Sequence, residues 1–159
     1  MKEDKCIFCY ENIPKEEIFY EDNLFYSRLD RFPGGPGHIE IIPKRHVQYL
    51  FDLNNEEKKQ YLFSIENTWS KLKLTNLEKE YLNMIPVNET SKKSIEQALQ
   101  IYRLNERIFP IDSLQGVNNG PDAGQSIHHL HWHIIPAFPN LIIPRGIMNS
   151  VEGYIDYTK

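Results

Sequence analysis

The sequence lacks several features that would place it in large classes of protein. It has no run of the roughly 18 consecutive apolar residues that a transmembrane helix needs, and no apolar signal segment precedes Cys6. It has no polybasic tract, so charge gives no reason to expect a nucleic-acid polymer or a membrane surface as partner. Only two cysteines are present, which in a cytoplasmic protein favours metal or redox chemistry over a structural disulfide. The lack of a signal segment and of a transmembrane run leads us to expect a cytoplasmic protein.

The composition is that of a folded globular protein. The 159 residues include 40% hydrophobic and 12% aromatic residues, and the net charge is -4. A chain of this length can form one domain with a substantial core. No internal repeat, low-complexity segment or domain boundary is evident. We therefore expect one domain over residues 1–159.

Turn residues divide the first third of the chain into short strands. Asp22 and Asn23 separate two strand-like runs and are typical of a hairpin turn. Two prolines and three glycines interrupt the chain at 31–37, and such a loop either lies on the surface or brings its backbone close to a ligand. The strands are predicted over 18–21, 24–30, 38–43 and 113–118.

Two amphipathic helices are predicted in the middle of the chain. Asn54 is a typical N-cap, and Glu57 occupies the capping-box position three residues later. The second helix is predicted over 91–104, after a mixed segment at 74–90. The side chains expected to face inward from the two helices are Tyr61, Leu62, Ile65, Trp69, Leu72, Ile95, Leu99 and Tyr102.

Histidine is concentrated in one short segment. Four of the six histidines lie within six residues. His129, His131 and His133 alternate with apolar residues, so a strand over 129–135 would place the three imidazoles on one face, about 6.6 Å apart. An engineered or accidental histidine-rich tract is the ordinary explanation, but a tag would lie at a terminus and would not alternate in this way. Three titratable rings on one face indicate a reactive site.

The two cysteines form a C-x-x-C motif at Cys6 and Cys9. This motif alone is compatible with a redox pair, half of a zinc site or two idle thiols. A thioredoxin-like redox motif needs a preceding strand and a helix that opens on the first cysteine, and five residues leave no room for that strand. A zinc site would need two further ligands, which must be histidines or carboxylates because no other cysteine is present.

The spacing of the histidines leaves two arrangements open. A single catalytic metal could be held by all three rings, although His129 and His133 would lie about 13 Å apart along a regular strand and both would have to lean inward. Alternatively, one histidine joins Cys6, Cys9 and another histidine in a closed zinc site, and a different one attacks phosphorus. A carbonyl or other polar group that accepts from one nitrogen of that ring would leave the other nitrogen with its lone pair facing the substrate.

Several segments resemble the histidine-triad (HIT) family. Asn118, the run Gly124-Gln-Ser126 and the run His129-Leu-His-Trp-His-Ile-Ile135 are similar to the family signature, in which H-φ-H-φ-H-φ-φ follows a Gln and a Ser or Thr. The segments at 30–38 and 41–46 look like the nucleotide-binding loop of the family and its following strand. The C-x-x-C motif looks like the amino-terminal zinc half-site of many bacterial members.

This resemblance implies a role for each residue that matches the signature. His131 would be the nucleophile that takes up a nucleoside monophosphoryl group, and His133 would help to bind the phosphate and the leaving group. Gln125 and Ser126 would contact the phosphate. A structural Zn²⁺ is implied as cofactor, in a closed site, and its ligands would be Cys6, Cys9, His46 and His129.

The remainder of the nucleotide pocket is implied in the same way. Asp30 would accept hydrogen bonds from the ribose hydroxyls, and His38 and Asn118 would line the same pocket. Phe25 and Leu29 would form the wall against the base.

The resemblance also implies a fold and an assembly. We expect an α+β protein, with an antiparallel sheet of about five strands packed with helices, that forms a homodimer through the long helix and the sheet edge. Residues 74–108 exceed the compact family core and are expected to be a helical insertion, while 137–159 would form an extended tail. The chain has Ala137 and Phe138 where many relatives carry an arginine, and 143–146 only loosely resembles the tail of the dinucleoside polyphosphate subgroup.

The function implied is that of a nucleotide hydrolase or nucleotidyl transferase. It would act on phosphoanhydride or phosphoramidate bonds of nucleoside monophosphate conjugates, such as dinucleoside polyphosphates or adenosine phosphoramidates, through a covalent nucleotidyl-histidine intermediate. Two alternatives stay open: a nucleotide sensor or interaction protein with little catalysis, and a zinc metallohydrolase that uses the three histidines.

Overall fold

The computed structural model describes residues 6–139, which form one five-stranded antiparallel sheet and three α-helices. The expected α+β fold is confirmed. The strands are β1 Tyr20–Glu21, β2 Phe25–Leu29, β3 Ile39–Pro43, β4 Ser113–Gly116 and β5 Trp132–Pro136, in the order β1-β2-β3-β5-β4. The helices are α1 Asn55–Lys73, α2 Leu77–Asn83 and α3 Glu89–Leu104, and short 3-10 turns occupy Lys15–Glu17, Leu50–Asp52 and Pro121–Ala123.

The two faces of the sheet have different coverings, because side chains alternate along each strand. On one face, Phe25, Ile39, Ile41 and Ile134 belong to the main core, which also contains buried side chains of all three helices. Helix α1 packs across β1, β2 and β3 on this side. The opposite face carries a second core, in which the amino-terminal segment covers β2 and β3, and its members are Cys6, Phe8, Cys9, Ile13, Tyr26 and Ile42.

Helix α1 begins as the sequence predicts. The Asn54 side chain accepts from the Glu57 backbone N–H, and the Glu57 carboxylate accepts from the Asn54 backbone N–H. The inward position predicted for Leu62 is wrong, since 71% of this residue is exposed. The buried face of α1 instead includes three polar residues, Glu57, Ser64 and Thr68, together with Tyr61 and Leu72. Small hydroxyl side chains allow the helix to approach the sheet closely, and Thr68 Oγ1 donates to Ser27 Oγ over 3.3 Å.

The segment at 74–108 contains α2 and α3. The predicted second helix is confirmed, and its N-cap is Asn88, whose side chain accepts from Ser91 N–H. Helix α2 was not predicted because its seven residues bury only Leu77 and Tyr81, too few for a clear periodicity. Tyr81 reaches back to the 31–37 loop, where its hydroxyl accepts from Gly37 N–H over 2.8 Å.

The predicted strands before the helices are confirmed within two residues at either end. Asp22 Oδ1 accepts from the N–H groups of Leu24 and Phe25, which fixes the predicted hairpin between β1 and β2. Of the predicted tail, only residues 137–139 lie within the described part of the chain. No helix in residues 6–139 is long and apolar enough to cross a membrane.

Candidate active site and metal centre

Two cysteines and two histidines from distant parts of the chain meet beneath the second face of the sheet. Cys6 and Cys9 lie on one amino-terminal turn, His46 follows β3, and His129 precedes β5. His129 Nδ1 lies 3.4 Å from Cys6 Sγ and 3.9 Å from Cys9 Sγ, and His46 Nδ1 lies 3.3 Å from Cys9 Sγ. All four candidate ligand atoms lie within 4.8 Å of one another.

These distances fit a tetrahedral zinc site. Zinc bonds of about 2.3 Å to sulfur and about 2.1 Å to nitrogen place the two ligand atoms roughly 3.6 Å apart. His129 Nε2 lies 2.9 Å from the Pro43 carbonyl, so Nε2 carries the proton and Nδ1 presents its lone pair to the sulfurs. Burial lowers the pKa of His129 to about 4, which keeps the ring neutral as a ligand must be. The predicted ligand set is therefore brought together, and a four-ligand site of this kind has no open position for chemistry.

The histidine segment is not a strand along its whole length, so that prediction is wrong at its start. Strand β5 begins only at Trp132. Before it, Leu130 N–H donates to the Val47 carbonyl and His129 N–H donates to the Ile127 carbonyl, instead of to a neighbouring strand. The bend turns His129 towards the cysteines and leaves His131 and His133 together, with ring centroids 4.8 Å apart. Among the described residues, the three rings do not form a common metal cluster.

His131 is held in one tautomer by the backbone. Its Nδ1 lies 2.7 Å from the His129 carbonyl, which can only accept, so Nδ1 carries the proton and Nε2 carries the lone pair. This is the orienting arrangement that the sequence predicted for a nucleophile. Phe8 packs edge-on against the ring at 5.2 Å between centroids. Burial lowers the pKa of His131, which favours the neutral, nucleophilic form.

A second chain of hydrogen bonds fixes His133. The Gly34 N–H donates to His38 Nδ1 over 3.0 Å, so the proton of His38 is on Nε2. His38 Nε2 then donates to His133 Nδ1 over 2.9 Å, which leaves the proton of His133 on its own Nε2. Burial, together with the neighbouring His38, lowers the pKa of His133 to about 4. His133 is consequently a neutral hydrogen-bond donor beside a neutral acceptor, His131.

Asp30 follows β2 and lies next to this pair of histidines. Its Oδ2 is 3.4 Å from His38 Nε2 and 4.0 Å from His133 Nδ1, while its Oδ1 accepts from Phe32 N–H over 2.7 Å. The carboxylate therefore stabilises the donor orientation of His38 and also borders the cavity.

A cavity of about 680 Å³ opens over the histidines. This volume is in the range of sites that bind small molecules and cofactors. Four residues predicted for catalysis or substrate binding line it: Asp30, Ser126, His131 and His133. Cys6 and Phe8 also line the cavity, so the cavity borders the candidate metal cluster, which consists of Cys6, Cys9, His46 and His129.

Other predicted site residues do not line this cavity. Gln125 is buried, its Nε2 donates to the Gln48 carbonyl over 2.9 Å, and its Oε1 has no partner among the described atoms. Asn118 is exposed and donates to the Ala123 carbonyl over 2.5 Å. Phe25 is 0% exposed in the main core, so it has no surface for a base. Leu29 borders a neighbouring cavity of about 520 Å³.

Two charged residues of the cavity were missed by the sequence reasoning. Arg28 and Glu40 are both buried, face each other across β2 and β3, and line the cavity. Arg28 also pairs with Glu17 over 3.2 Å. The sequence contains a signal for this pair. Arg28 lies inside the predicted strand 24–30, and Glu40, which has the opposite charge, lies inside the next predicted strand, 38–43.

Comparison with known proteins assigns the family. The HIT domain model matches residues 11–140. The chain belongs to the HIT family. It is 27% identical over 138 residues to Protein hit from Bacillus subtilis, which covers 85% of this chain and 72% of that protein. It is 26% identical over 137 residues to bis(5'-adenosyl)-triphosphatase from Saccharomyces cerevisiae, but it spans only 50% of that protein's length.

Solved structures of HIT proteins share the fold. A HIT family member from Bacillus subtilis superimposes with a TM-score of 0.55 at 26% identity, over 87% of this chain and 77% of that chain. A histidine triad protein from Clostridium difficile gives a TM-score of 0.52 at 25% identity, over 88% and 98%. The expected membership is thus confirmed, and most residues that line the cavity lie within the matched range.

Proposed function

We propose that this HIT protein hydrolyses or transfers nucleoside monophosphates through a covalent intermediate on His131. The hydrogen bond from His131 Nδ1 to the His129 carbonyl carries the proposal, because it directs the Nε2 lone pair of a neutral ring to the substrate. The proposed substrates are phosphoanhydrides and phosphoramidates of nucleoside monophosphates. The yeast bis(5'-adenosyl)-triphosphatase among the relatives supports this class.

The proposed reaction has two steps. His131 Nε2 attacks the phosphorus, a P–N bond forms, and the bond to the leaving group breaks with its electron pair on the leaving atom. The His133 Nε2–H donates to a phosphoryl oxygen and stabilises the charge that develops there. Water or another acceptor then attacks the phosphorus, and the electron pair of the P–N bond returns to His131.

Other residues would bind the nucleotide rather than react with it. Ser126 is exposed in the cavity, where its hydroxyl can contact the phosphate. Asp30 is placed to accept from ribose hydroxyls at the cavity edge. Gln125 and Asn118 would act by holding the 119–126 loop, since their side chains bind the backbone of neighbouring segments. Leu29 would reach a base only from the neighbouring cavity, and Phe25 would support the sheet beneath.

The metal cluster would have a structural part in this function. Cys6, Cys9, His46 and His129 would hold a zinc ion, which binds its ligands without redox chemistry. By fixing His129, this cluster would also fix the carbonyl that orients His131.

Replacing His131 with Asn tests the proposal. His131→Asn keeps a polar side chain of similar reach but has no nucleophilic nitrogen, so turnover of a diadenosine polyphosphate or an adenosine phosphoramidate should fall by on the order of 10³-fold or more. Quenched reactions of the unsubstituted protein should contain a nucleotidylated peptide with residues 125–136 by mass spectrometry, and the variant should form none.

His128 provides the matched control, because it is exposed and adjacent to the same segment. His128→Asn should retain both turnover and the adduct. Undiminished activity in His131→Asn would contradict the proposal. Nucleotide binding without any adduct in the unsubstituted protein would instead indicate a sensor.

A further inference from the structure

Glu40 is a buried carboxyl group at the centre of the active face that the mechanism above leaves unused. It lies opposite Arg28 of β2 on one side and opposite His133 of β5 on the other, so the three side chains form one row across the sheet. Glu40 is 5% exposed and lines the cavity. A carboxyl oxygen of Glu40 and a ring nitrogen of each of His131 and His133 all lie within 4.8 Å of one another.

The environment of Glu40 favours its protonated form. Arg28 Nε is 3.4 Å from Glu40 Oε2 but makes no directed hydrogen bond, so Arg28 stabilises the carboxylate only weakly. Burial is the main cause that raises the pKa of Glu40 to about 8, the negative charges of Asp30 and Glu17 act in the same direction, and the charge of Arg28 opposes them. The titratable or charged groups that face Glu40 are Arg28 from β2, Asp30 after β2, Glu17 from the first 3-10 turn, and His131 and His133 from the histidine segment.

The proposed reaction needs a proton that the histidines do not supply. The amine of a phosphoramidate substrate must be protonated as its bond to phosphorus breaks. The pKa of His133 is lowered to about 4, so near pH 7 the ring is neutral. A neutral imidazole N–H donates a hydrogen bond but is far too weak an acid to give up its proton. A protonated carboxyl group within 4.8 Å of both rings is suited to this transfer.

We propose that Glu40 is a catalytic residue that gives its proton to the leaving group in the first step and takes one from water in the second. This proposal rests on the proposed function of His131. In the first step the P–O or P–N bond to the leaving group breaks, the leaving atom keeps the electron pair and takes the Glu40 proton, and Glu40 becomes a carboxylate. In the second step that carboxylate takes a proton from the attacking water, the new P–O bond forms, and His131 Nε2 regains its pair. The sum is hydrolysis, with Glu40 protonated again.

Two substrates with different leaving groups separate proton transfer from a structural effect. The amine of an adenosine phosphoramidate needs a proton to leave, whereas the nitrophenolate of AMP p-nitrophenyl ester does not. With Glu40→Gln, which has nearly the same shape, adduct formation from the phosphoramidate should fall about 10²-fold or more at pH 7. The ester should still give a burst of nitrophenolate at nearly the original rate, after which the adduct accumulates because its hydrolysis lacks a base.

Glu57→Gln is the matched control. Glu57 is also a buried carboxyl group paired with an arginine, Arg45, over 2.7 Å, but it caps α1 and does not line the cavity. This variant should lose stability yet keep both rates.

The unsubstituted protein gives a second measurement that does not depend on the folding of a variant. As pH rises through about 8, Glu40 loses its proton, so adduct formation from the phosphoramidate should slow while hydrolysis of the adduct should quicken.

Each other outcome overturns the proposal. Equal slowing of adduct formation with both substrates in Glu40→Gln would mean that Glu40 only positions His133. If Glu40→Gln left the rates with both substrates unchanged while His131→Asn was inactive, Glu40 would have no catalytic role and the proposed function of His131 would still stand. Activity that requires an added divalent ion, bound more weakly by Glu40→Gln, would make Glu40 a metal ligand. Absence of any adduct in the unsubstituted protein would overturn both proposals together.

Discussion

His129 contacts both the candidate metal cluster and the proposed nucleophile, His131, and it uses different atoms for each. Its Nδ1 faces the sulfurs of Cys6 and Cys9, and its carbonyl accepts from the ring of His131. Its Nε2 donates to the Pro43 carbonyl at the end of β3. A change in the metal cluster should therefore reach the proposed nucleophile through one peptide unit.

Cys6→Ser tests this connection at the level of single residues. Loss of one thiolate leaves three ligands, so the variant should purify without zinc and unfold at a lower temperature. Turnover should fall by about 10- to 100-fold, as is typical when a residue that orients a site is lost. Metal analysis, thermal unfolding and steady-state kinetics provide the three readouts.

The unsubstituted protein treated with a strong chelator is the control for Cys6→Ser, and it should behave in the same way. A variant that retained one zinc per chain would contradict the four-ligand site and favour an ion held by the histidines.

The four residues of the candidate metal cluster were predictable from the sequence, but the hydrogen-bonding states of the neighbouring histidines were not. The signature leads directly to Cys6, Cys9, His46 and His129, which do lie together. The tautomers depend on where the fold places the Pro43 and His129 carbonyls and the Gly34 N–H, which a sequence does not specify. Arg28 and Glu40 were missed because the family signature does not include them.

At the level of elements, the amino terminus of α1 offers a direct measurement of local stability. Asn54→Ala removes the acceptor for Glu57 N–H, and loss of such a cap costs about 1 kcal/mol of the free energy of unfolding. Urea denaturation should show this decrease, and the activity should stay unchanged because the cap is remote from the cavity. Asn55→Ala, one residue further along and exposed, should have little effect. Equal stability in both variants would show that the capping box contributes nothing here.

Elements with strong local signals were predicted correctly, and those fixed by distant contacts were not. The hairpin at Asp22 and the cap at Asn54 act within three residues, so the sequence specifies them. Strand β5 starts only after Leu130, because the Leu130 N–H donates to the Val47 carbonyl and not to a neighbouring strand. Helix α2 depends on Tyr81 meeting the 31–37 loop, a contact between residues 44 positions apart.

At the scale of the whole molecule, the main core and the candidate functional site lie on opposite faces of the sheet. The helices cover one face, and the metal cluster and the cavity occupy the other. Helix α1 nevertheless presents Leu62 and Phe63 outward, with 71% and 60% of each exposed. From these adjacent exposed apolar side chains on the longest helix we propose that α1 forms the interface of a homodimer, the assembly that the family resemblance implies.

Phe63→Glu tests the dimer. If α1 forms the proposed interface, a charge at this position should be disfavoured there, so the variant should have the mass of a monomer and the unsubstituted protein that of a dimer. Light scattering coupled to size exclusion gives the mass directly. Leu82→Glu is the control, since Leu82 is 65% exposed on α2, and it should leave the dimer intact. A dimer that survived Phe63→Glu would place the interface elsewhere.

The metal cluster joins residues that lie almost at opposite ends of the described chain. Cys6 and His129 are 123 positions apart. In the loop-closure model, tying a loop of this length removes roughly 5 kcal/mol of chain entropy from the unfolded ensemble. Because such a closure forms only after most of the chain has collapsed, a zinc ion would do little to start folding. Its chief effect would be to lower the rate of unfolding once the amino-terminal turn has packed against the sheet.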